Sequence, residues 1–288
     1  MKKLLYIFLI FQACSENVDK STEVKTLTES ERVLLSTTDS IKVANFWQKA
    51  MKAPIYSVER QHYLDSALII KPDSAYFWQQ KAMPLYKERK FSLGKPFLEK
   101  AVLYDPERYL DYSGFMKCLF SNEYQESIDE LNLAKEKFGD GYVMDHTYNF
   151  YIALDYLQMN QFANAKKYLL KSKEQQFNDF PNDSPEEACH YMDWFYMGVV
   201  EYELKNYEKA IENFNMSLKV YKKFADALYY KGISLYQSGK NEEARKTIEL
   251  AWENNQNTIN EDQVYYVIYP YQIFHKLSPW STKRMDSK

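Results

Sequence analysis

Apolar residues recur along this chain every three or four positions, which is the spacing of amphipathic helices. Trp78, Ala82 and Leu85, for example, lie four and three positions apart, with polar or differently facing residues between them. This spacing places side chains on one face of an α-helix. Only 7 Gly and 9 Pro occur among 288 residues, too few for the many turns of a β-sandwich, a propeller or a glycine-looped nucleotide-binding fold. The sequence therefore predicts an all-α protein.

The helical pattern also repeats, with a period of 34 residues. Large and small residues recur in step at five pairs of positions: Trp194 and Leu228, Gly198 and Gly232, Ala210 and Ala244, Phe214 and Ile248, and Ser217 and Ala251. Leu64 and Leu98, Ala67 and Ala101, and Pro72 and Pro106 have the same separation. This period and order of residues resemble the tetratricopeptide repeat (TPR). The resemblance implies an α-solenoid, a superhelix of stacked helical hairpins.

Extending the register predicts six hairpins, over residues 41–74, 75–108, 108–141, 146–179, 191–224 and 225–258, followed by a capping segment and tail over 259–288. The first hairpin carries Lys49 and Arg60 where the pattern favours apolar or small residues, so we expect it to be an end cap with a solvated face. Cys118 falls on a packing position of the third hairpin and is expected to fill the core.

Two segments outside the repeats have helix signals of their own. Phe180–His190 interrupts the spacing, and Ser184, Pro185 and Glu187 have the order of an N-cap, a first helical residue and a capping-box acid. The first helix of the fifth hairpin is therefore expected to begin near Pro185. Residues 260–277 are rich in tyrosine and are predicted to form a capping helix, kinked at Pro270.

The first 13 residues have the pattern of a short export signal. Two lysines precede eight apolar residues, and Ala13 stands before Cys14. This order resembles the lipobox of bacterial lipoproteins, which implies a lipid on Cys14. Residues 14–40 are polar and predict a tether. We therefore expect the protein in the cell envelope, held to a bacterial membrane only by its lipid anchor, on the periplasmic or surface side.

Charge and composition exclude several kinds of chemistry. The formal net charge of -3 offers no basic surface for nucleic acid. No phosphate-binding glycine loop, HExxH motif or G-x-S-x-G elbow occurs. The four histidines fall in different predicted units, so no metal site is expected, and Cys118 and Cys189 are expected to be free thiols. The sequence predicts neither an enzyme nor a bound cofactor.

The sharpest functional indication is a run of rings beside the packing stripe of the first helices. We call it the aromatic stripe: Tyr76, Tyr86, Tyr109, Tyr112, Phe150, Phe195, Tyr202, Tyr229 and Tyr236. The TPR resemblance implies that it lines a concave groove for a protein or peptide partner. Two alternatives stay open. The rings could fill the groove themselves or lie under the capping segment, or they could serve a polysaccharide-uptake system by binding a glycan beside Gln79, Gln158 and Gln237.

Overall fold

The computed structural model describes residues 29–259 and 269–273. The chain divides into two units, Met1–Lys42 and Val43–Lys288. In the first unit the described residues begin a helix, although the predicted tether runs to residue 40. Helix α1 starts at Glu29 and ends at Lys52, inside the second unit. The signal segment and Cys14 lie outside the described residues.

Within the described residues, the second unit is built almost wholly of helices that pack in sequence order. After α1 come α2 (Val58–Ile70), α3 (Ala75–Lys87), α4 (Phe91–Tyr104), α5 (Pro106–Met116), α6 (Tyr124–Phe138), α7 (Tyr148–Gln158), α8 (Phe162–Asp179), α9 (Pro185–Ala188), α10 (Tyr191–Glu203), α11 (Tyr207–Val220), α12 (Ala225–Gln237) and α13 (Asn241–Glu253). Helices α3 and α4, α5 and α6, α7 and α8, α10 and α11, and α12 and α13 form successive hairpins. The predicted all-α TPR superhelix is confirmed.

Small residues let the two helices of a hairpin approach each other. A Cβ atom at Gly198 would lie 2.6 Å from the ring of Phe214, and Gly232 faces Ile248 in the same way. Ala210 and Ala244 are fully buried on the opposing helices. The repeated Gly and Ala positions in the sequence are therefore the helix crossings.

One turn geometry closes the first helix of five hairpins. Within two residues of the helix end, the backbone is left-handed at Arg89, Asn122, Asn160, Lys205 and Gly239. In four of the five turns the next N–H donates to a carbonyl five residues earlier, as from Lys240 to Leu235 at 2.9 Å. This is the Schellman arrangement of helix C-termini. Only Gly239, Asn122 and Asn160 are residue types that favour a left-handed backbone, so only these three turns could be recognised in the sequence.

The third hairpin departs from this geometry because its first helix holds one extra residue. A π-helical turn, Lys117–Ser121, follows α5, and the closing bond from the Glu123 N–H reaches back six residues to Lys117. Gly114 occupies the crossing, where an added Cβ would lie 2.6 Å from Leu131, although the register of the predicted hairpins 108–141 and 191–224 pairs Phe115 with Gly198. The π turn absorbs the extra residue. Cys118 lies within it and is buried, as predicted.

Two short segments between hairpins are not repeats. A β-hairpin pairs β1 (Tyr142–Val143) with β2 (His146–Thr147) in antiparallel register, through Met144 and Asp145, which both have positive φ. Each strand has only two residues, too few to show the alternation of apolar and polar side chains by which strands are recognised in a sequence. The prediction that the first helix of the fifth hairpin starts near Pro185 is wrong: α9 ends at Ala188, Cys189 is extended, and α10 begins afresh at Tyr191.

Two further expectations need correction. Arg60 is not solvated: it is 4% exposed, and its Nη1 donates to the Ala50 carbonyl at 2.9 Å while Nη2 donates to Gln80 Oε1 at 2.9 Å. The backbone and the amide replace water around its charge. Residues 269–273 form a turn rather than part of a capping helix, because Pro270 lacks an N–H and Tyr271 has a φ of 62°. The rest of that predicted helix lies outside the described residues.

The core is one large cluster that runs from Ala82 on α3 to Ile273, with two small clusters around α2 and α4. Cys118 and Cys189 are buried free thiols, as expected.

In the described part of the chain, no helix combines the length and the apolar character needed to cross a membrane.

Candidate partner-binding face

The aromatic stripe is open at its N-terminal end. Tyr76, in the first turn of α3, is 37% exposed and stacks edge-on against Trp47, with ring centroids 5.1 Å apart. One hairpin further along, the half-buried Tyr112 accepts a hydrogen bond at its hydroxyl from Gln79 Nε2 at 3.1 Å. The two tyrosines are therefore held by neighbours while part of each surface remains accessible.

Four other members of the stripe are buried. Phe150 and Phe195 are fully buried, Tyr86 is 0% exposed and Tyr109 is 6% exposed. They belong to the protein core rather than to an open groove. The expectation that these four line a binding surface is wrong in this structure, and the alternative that rings fill the groove themselves holds for them. Burial also raises the pKa of Tyr86 well above its usual range.

The central first helices, α7 and α10, are enclosed on nearly all sides. Every residue from Tyr148 to Asp155 is buried, and so is every residue from Met192 to Glu201. An amphipathic helix of a bare solenoid would leave one stripe to solvent. Part of the enclosing chain comes from beyond the last hairpin.

The segment Tyr269–Ile273, which we call the C-terminal segment, lies against the inner helices. Tyr196 on α10 donates its hydroxyl proton to the Pro270 carbonyl at 2.9 Å, a buried hydrogen bond. Tyr269 and Ile273 belong to the same buried cluster as Phe150 and Phe195. The C-terminal segment thus occupies part of the surface where a peptide partner would be expected.

Asp226, in the first turn of α12, binds two backbone N–H groups of the chain that follows the repeats. Its Oδ2 accepts the N–H of Ile259 and its Oδ1 accepts the N–H of Ile273, each at 2.9 Å, and the side chain is fully buried. Carboxylate bonds to backbone N–H groups are charge-assisted. Sequence reasoning missed Asp226 because its hydrogen-bond donors are backbone N–H groups, which every residue type except proline carries.

The C-terminal end of the aromatic stripe is intermediate. Tyr202, Tyr229 and Tyr236 are half-buried. Tyr271 stacks near Tyr230, with centroids 5.7 Å apart, and donates to Glu203 Oε1 at 2.7 Å. Burial is the main cause that raises the pKa of both Tyr202 and Tyr229. The hydroxyl groups of Tyr202 and Tyr229 are therefore neutral at physiological pH.

The expectation that the histidines lie apart is wrong for one pair. The rings of His146 and His190 meet edge-on, with centroids 4.6 Å apart. The β-hairpin and the segment before α10 bring them together, and neither element is part of the repeat. Phe150 of the aromatic stripe stacks on His146, with ring centroids 4.1 Å apart.

The last hairpin matches a known repeat family. A family model described as the tetratricopeptide repeat matches residues 226–258, which hold α12 and α13. Four of the preceding hairpins, α3–α4, α5–α6, α7–α8 and α10–α11, end their first helix in the same left-handed turn as this one. The chain is a tetratricopeptide-repeat protein. No curated protein sequence matches it significantly.

Several solved structures share the fold of this TPR protein. PilW, titled a widely conserved type IV pilus biogenesis factor, is 16% identical with a TM-score of 0.57, over 79% of this chain and 98% of its own. Pseudomonas aeruginosa PilF is 18% identical with a TM-score of 0.54, over 74% and 90%. A TPR protein of Parabacteroides merdae is 11% identical with a TM-score of 0.58, over 76% and 80%. At these identities the likeness concerns the fold.

Proposed function

We propose that this TPR protein is a binding scaffold that recognises an extended segment of a protein partner through the open end of its aromatic stripe. The observation that carries the proposal is the accessible pair of rings, Tyr76 and Tyr112, held in place by Trp47 and Gln79. Tyrosine offers a rigid apolar surface with a polar tip, and pre-positioned rings lose little entropy on binding.

The open end also offers groups that suit a polypeptide backbone. Gln79 and Gln80 are half-buried and hydrogen-bonded to each other, with Gln80 Nε2 2.9 Å from Gln79 Oε1. Amides can donate to and accept from a peptide backbone, while neighbouring rings take its side chains. Met51 in the last turn of α1, with Ile55 and Tyr56 in the turn that follows, is exposed and extends the apolar area of the first hairpin.

The experiment is a crosslinking pull-down from native membranes, with the double variant Tyr76→Ala, Tyr112→Ala compared with the wild type. We expect recovery of the partner to fall at least tenfold, because aromatic anchors carry a large share of interface energy. The matched control is Tyr104→Ala on α4, a tyrosine that is 44% exposed but lies outside the aromatic stripe. Equal recovery by the wild type and the double variant would refute the site. Phe195 is unsuitable for this test because its truncation would damage the core.

We further propose that the scaffold is exported and anchored through a lipid on Cys14, in the cell envelope. The support is the sequence motif of two lysines, eight apolar residues and Ala13 before a cysteine. The fold of PilW, titled a type IV pilus biogenesis factor, is compatible with such a setting. Metabolic labelling with a fatty-acid analogue tests the anchor: label should disappear in Cys14→Ala and persist in Cys189→Ala. Label in Cys14→Ala would refute it.

Carbohydrate capture is the second candidate, and one cavity favours it. A cavity of about 270 Å³ is lined by Tyr124, Gln158 and Arg89 among other residues, and Gln158 Nε2 donates to the Tyr124 hydroxyl at 3.1 Å. A ring with an amide and a guanidinium beside it suits a sugar. Intrinsic fluorescence titrated with a glycan panel tests it, and a saturable change that is lost in Gln158→Ala is expected. No change across the panel would eliminate this candidate.

A further inference from the structure

The two segments that interrupt the repeat bring three metal-binding side chains together. His146 lies on β2, His190 is the N-cap residue of α10, and Asp193 is in the first turn of α10. Each offers one ligand atom, and all three atoms lie within 4.8 Å of one another. Ligands of a tetrahedral zinc ion lie about 3–3.5 Å apart. Modest side-chain rotations would therefore bring this set to coordination distance.

The neighbours of these side chains already fix their positions. His146 and Asp193 are each 1% exposed. Ser172 donates to Asp193 Oδ1, and Gln176 Nε2 donates to Ser172 Oγ at 3.2 Å. Gln176 also accepts the His190 N–H at its Oε1, at 2.9 Å. Such outer contacts orient metal ligands and strengthen binding.

The site has a route to solvent. His190 lines a cavity of about 470 Å³ between the β-hairpin and the segment before α10. Asp145, Asp183 and Glu187 line the same cavity. Their negative charges would attract a cation toward the buried ligands. The cavity also leaves space for water at a fourth coordination position.

We propose that His146, His190 and Asp193 bind one divalent transition-metal ion of the zinc class. Two imidazole nitrogens and one carboxylate oxygen suit zinc and its neighbours in the first transition series, whereas Ca²⁺ and Mg²⁺ prefer oxygen ligands alone. The ion would join β2 to the start of α10, so it would link the fourth and fifth hairpins. The proposal does not depend on the partner-binding function.

Metal binding would change one existing hydrogen bond. The Met192 N–H donates to His190 Nδ1 at a long 3.3 Å. An ion on Nδ1 would take that lone pair, and an ion on Nε2 would move the ring proton to Nδ1, so the bond is lost in either case. The amide resonance of Met192 should therefore shift on binding, which a bystander packing role would not produce.

The test is calorimetric titration of the full-length protein, without a histidine tag and after removal of metal by a chelator, with Zn²⁺. We expect one ion per chain and a loss of affinity of at least tenfold in both His190→Ala and Asp193→Asn. Asp193→Asn keeps an oxygen to accept the bond from Ser172, so it guards against misfolding as the cause. His62→Ala is the matched control, because His62 is exposed on α2, and should bind like the wild type.

Co²⁺ offers an independent readout through its visible absorption, which should appear in the wild type and be lost in both variants. Absence of Zn²⁺ binding by the wild type would overturn the proposal, and so would equal affinity in the wild type and the two variants. In that event His146 would be a packing residue, stacked on Phe150 with centroids 4.1 Å apart.

Discussion

The N-terminal and central parts of the aromatic stripe come from the same repeat, yet only the first is open. Tyr76 on α3 is 37% exposed, whereas Phe195 on α10 is fully buried. The C-terminal segment packs with the central helices, through the hydrogen bond from Tyr196 to Pro270 and a shared buried cluster. A repeat thus determines which positions share a face, but chain outside the repeat decides which of them a partner can reach.

The largest effect should separate these two regions by stability. Phe195→Ala leaves a cavity in a closely packed core, and we expect it to lower the free energy of unfolding by about 3–5 kcal/mol. Tyr76→Ala removes one edge-on ring contact at the surface and should cost about 1 kcal/mol. Urea denaturation measures both. Similar losses would mean that the centre is not more enclosed than the open end.

The second prediction concerns the attachment of the C-terminal segment. Asp226→Asn keeps one oxygen acceptor and places an N–H group against the other backbone donor, so about 1–3 kcal/mol of stability should be lost. Hydrogen exchange at the amides of Ile259 and Ile273 should become faster. Asp73→Asn, at an exposed position before α3, serves as the control and should leave both amides protected. Unchanged exchange in Asp226→Asn would contradict the role of Asp226.

The third prediction is a pH dependence within the covered centre. Burial raises the pKa of Asp155 on α7 well above its usual range, although Ser127 and Cys118 beside it act in the opposite direction. Since the folded pKa exceeds the unfolded value of about 4, the stability this group contributes is complete below pH 4 and is lost as pH rises. The free energy of unfolding of Asp155→Asn should therefore exceed that of the wild type by about 1 kcal/mol or more at pH 7.5.

Unfolding midpoints in urea at pH 4 and pH 7.5 measure this difference, which should shrink at the lower pH. A variant that is less stable than the wild type at pH 7.5 would show that the carboxylate is satisfied where it lies.

The smallest effect is expected at the edge of the C-terminal segment. Tyr271→Phe removes the donor to Glu203 and leaves the ring in place, so about 1 kcal/mol or less should be lost. Thermal unfolding measures the difference, with Tyr104→Phe at an exposed position of α4 as the control. A larger loss than in Asp226→Asn would reverse the order of the two contacts that hold the segment.

Much of the fold could be predicted because the residues that pack helices together recur at a fixed interval in the sequence. Gly198, Gly232 and their partners recur in register, and each marks a helix crossing. The π turn after α5 could not be predicted, because its signal is one residue of misalignment between Gly114 and Phe115. A single small shift in register does not stand out without a repeat of known geometry beside it.

The candidate site was predictable in position but not in exposure. Helical spacing identified the nine rings of the aromatic stripe, yet it could not tell Tyr112 from Phe150. That difference depends on contacts from chain far away in sequence, as between Tyr196 and Pro270, 74 residues apart. The pairing of His146 with His190 has the same origin, since two segments outside the repeats fold toward each other.

Site-specific photocrosslinking tests the central claim most directly. A photoreactive phenylalanine replaces Tyr76 in one variant and Tyr202 in another, and each is irradiated in native membranes. We expect an adduct with a partner protein at position 76, and at position 202 an internal crosslink to the segment around Tyr271. Partner adducts at position 202 with none at position 76 would contradict this expectation.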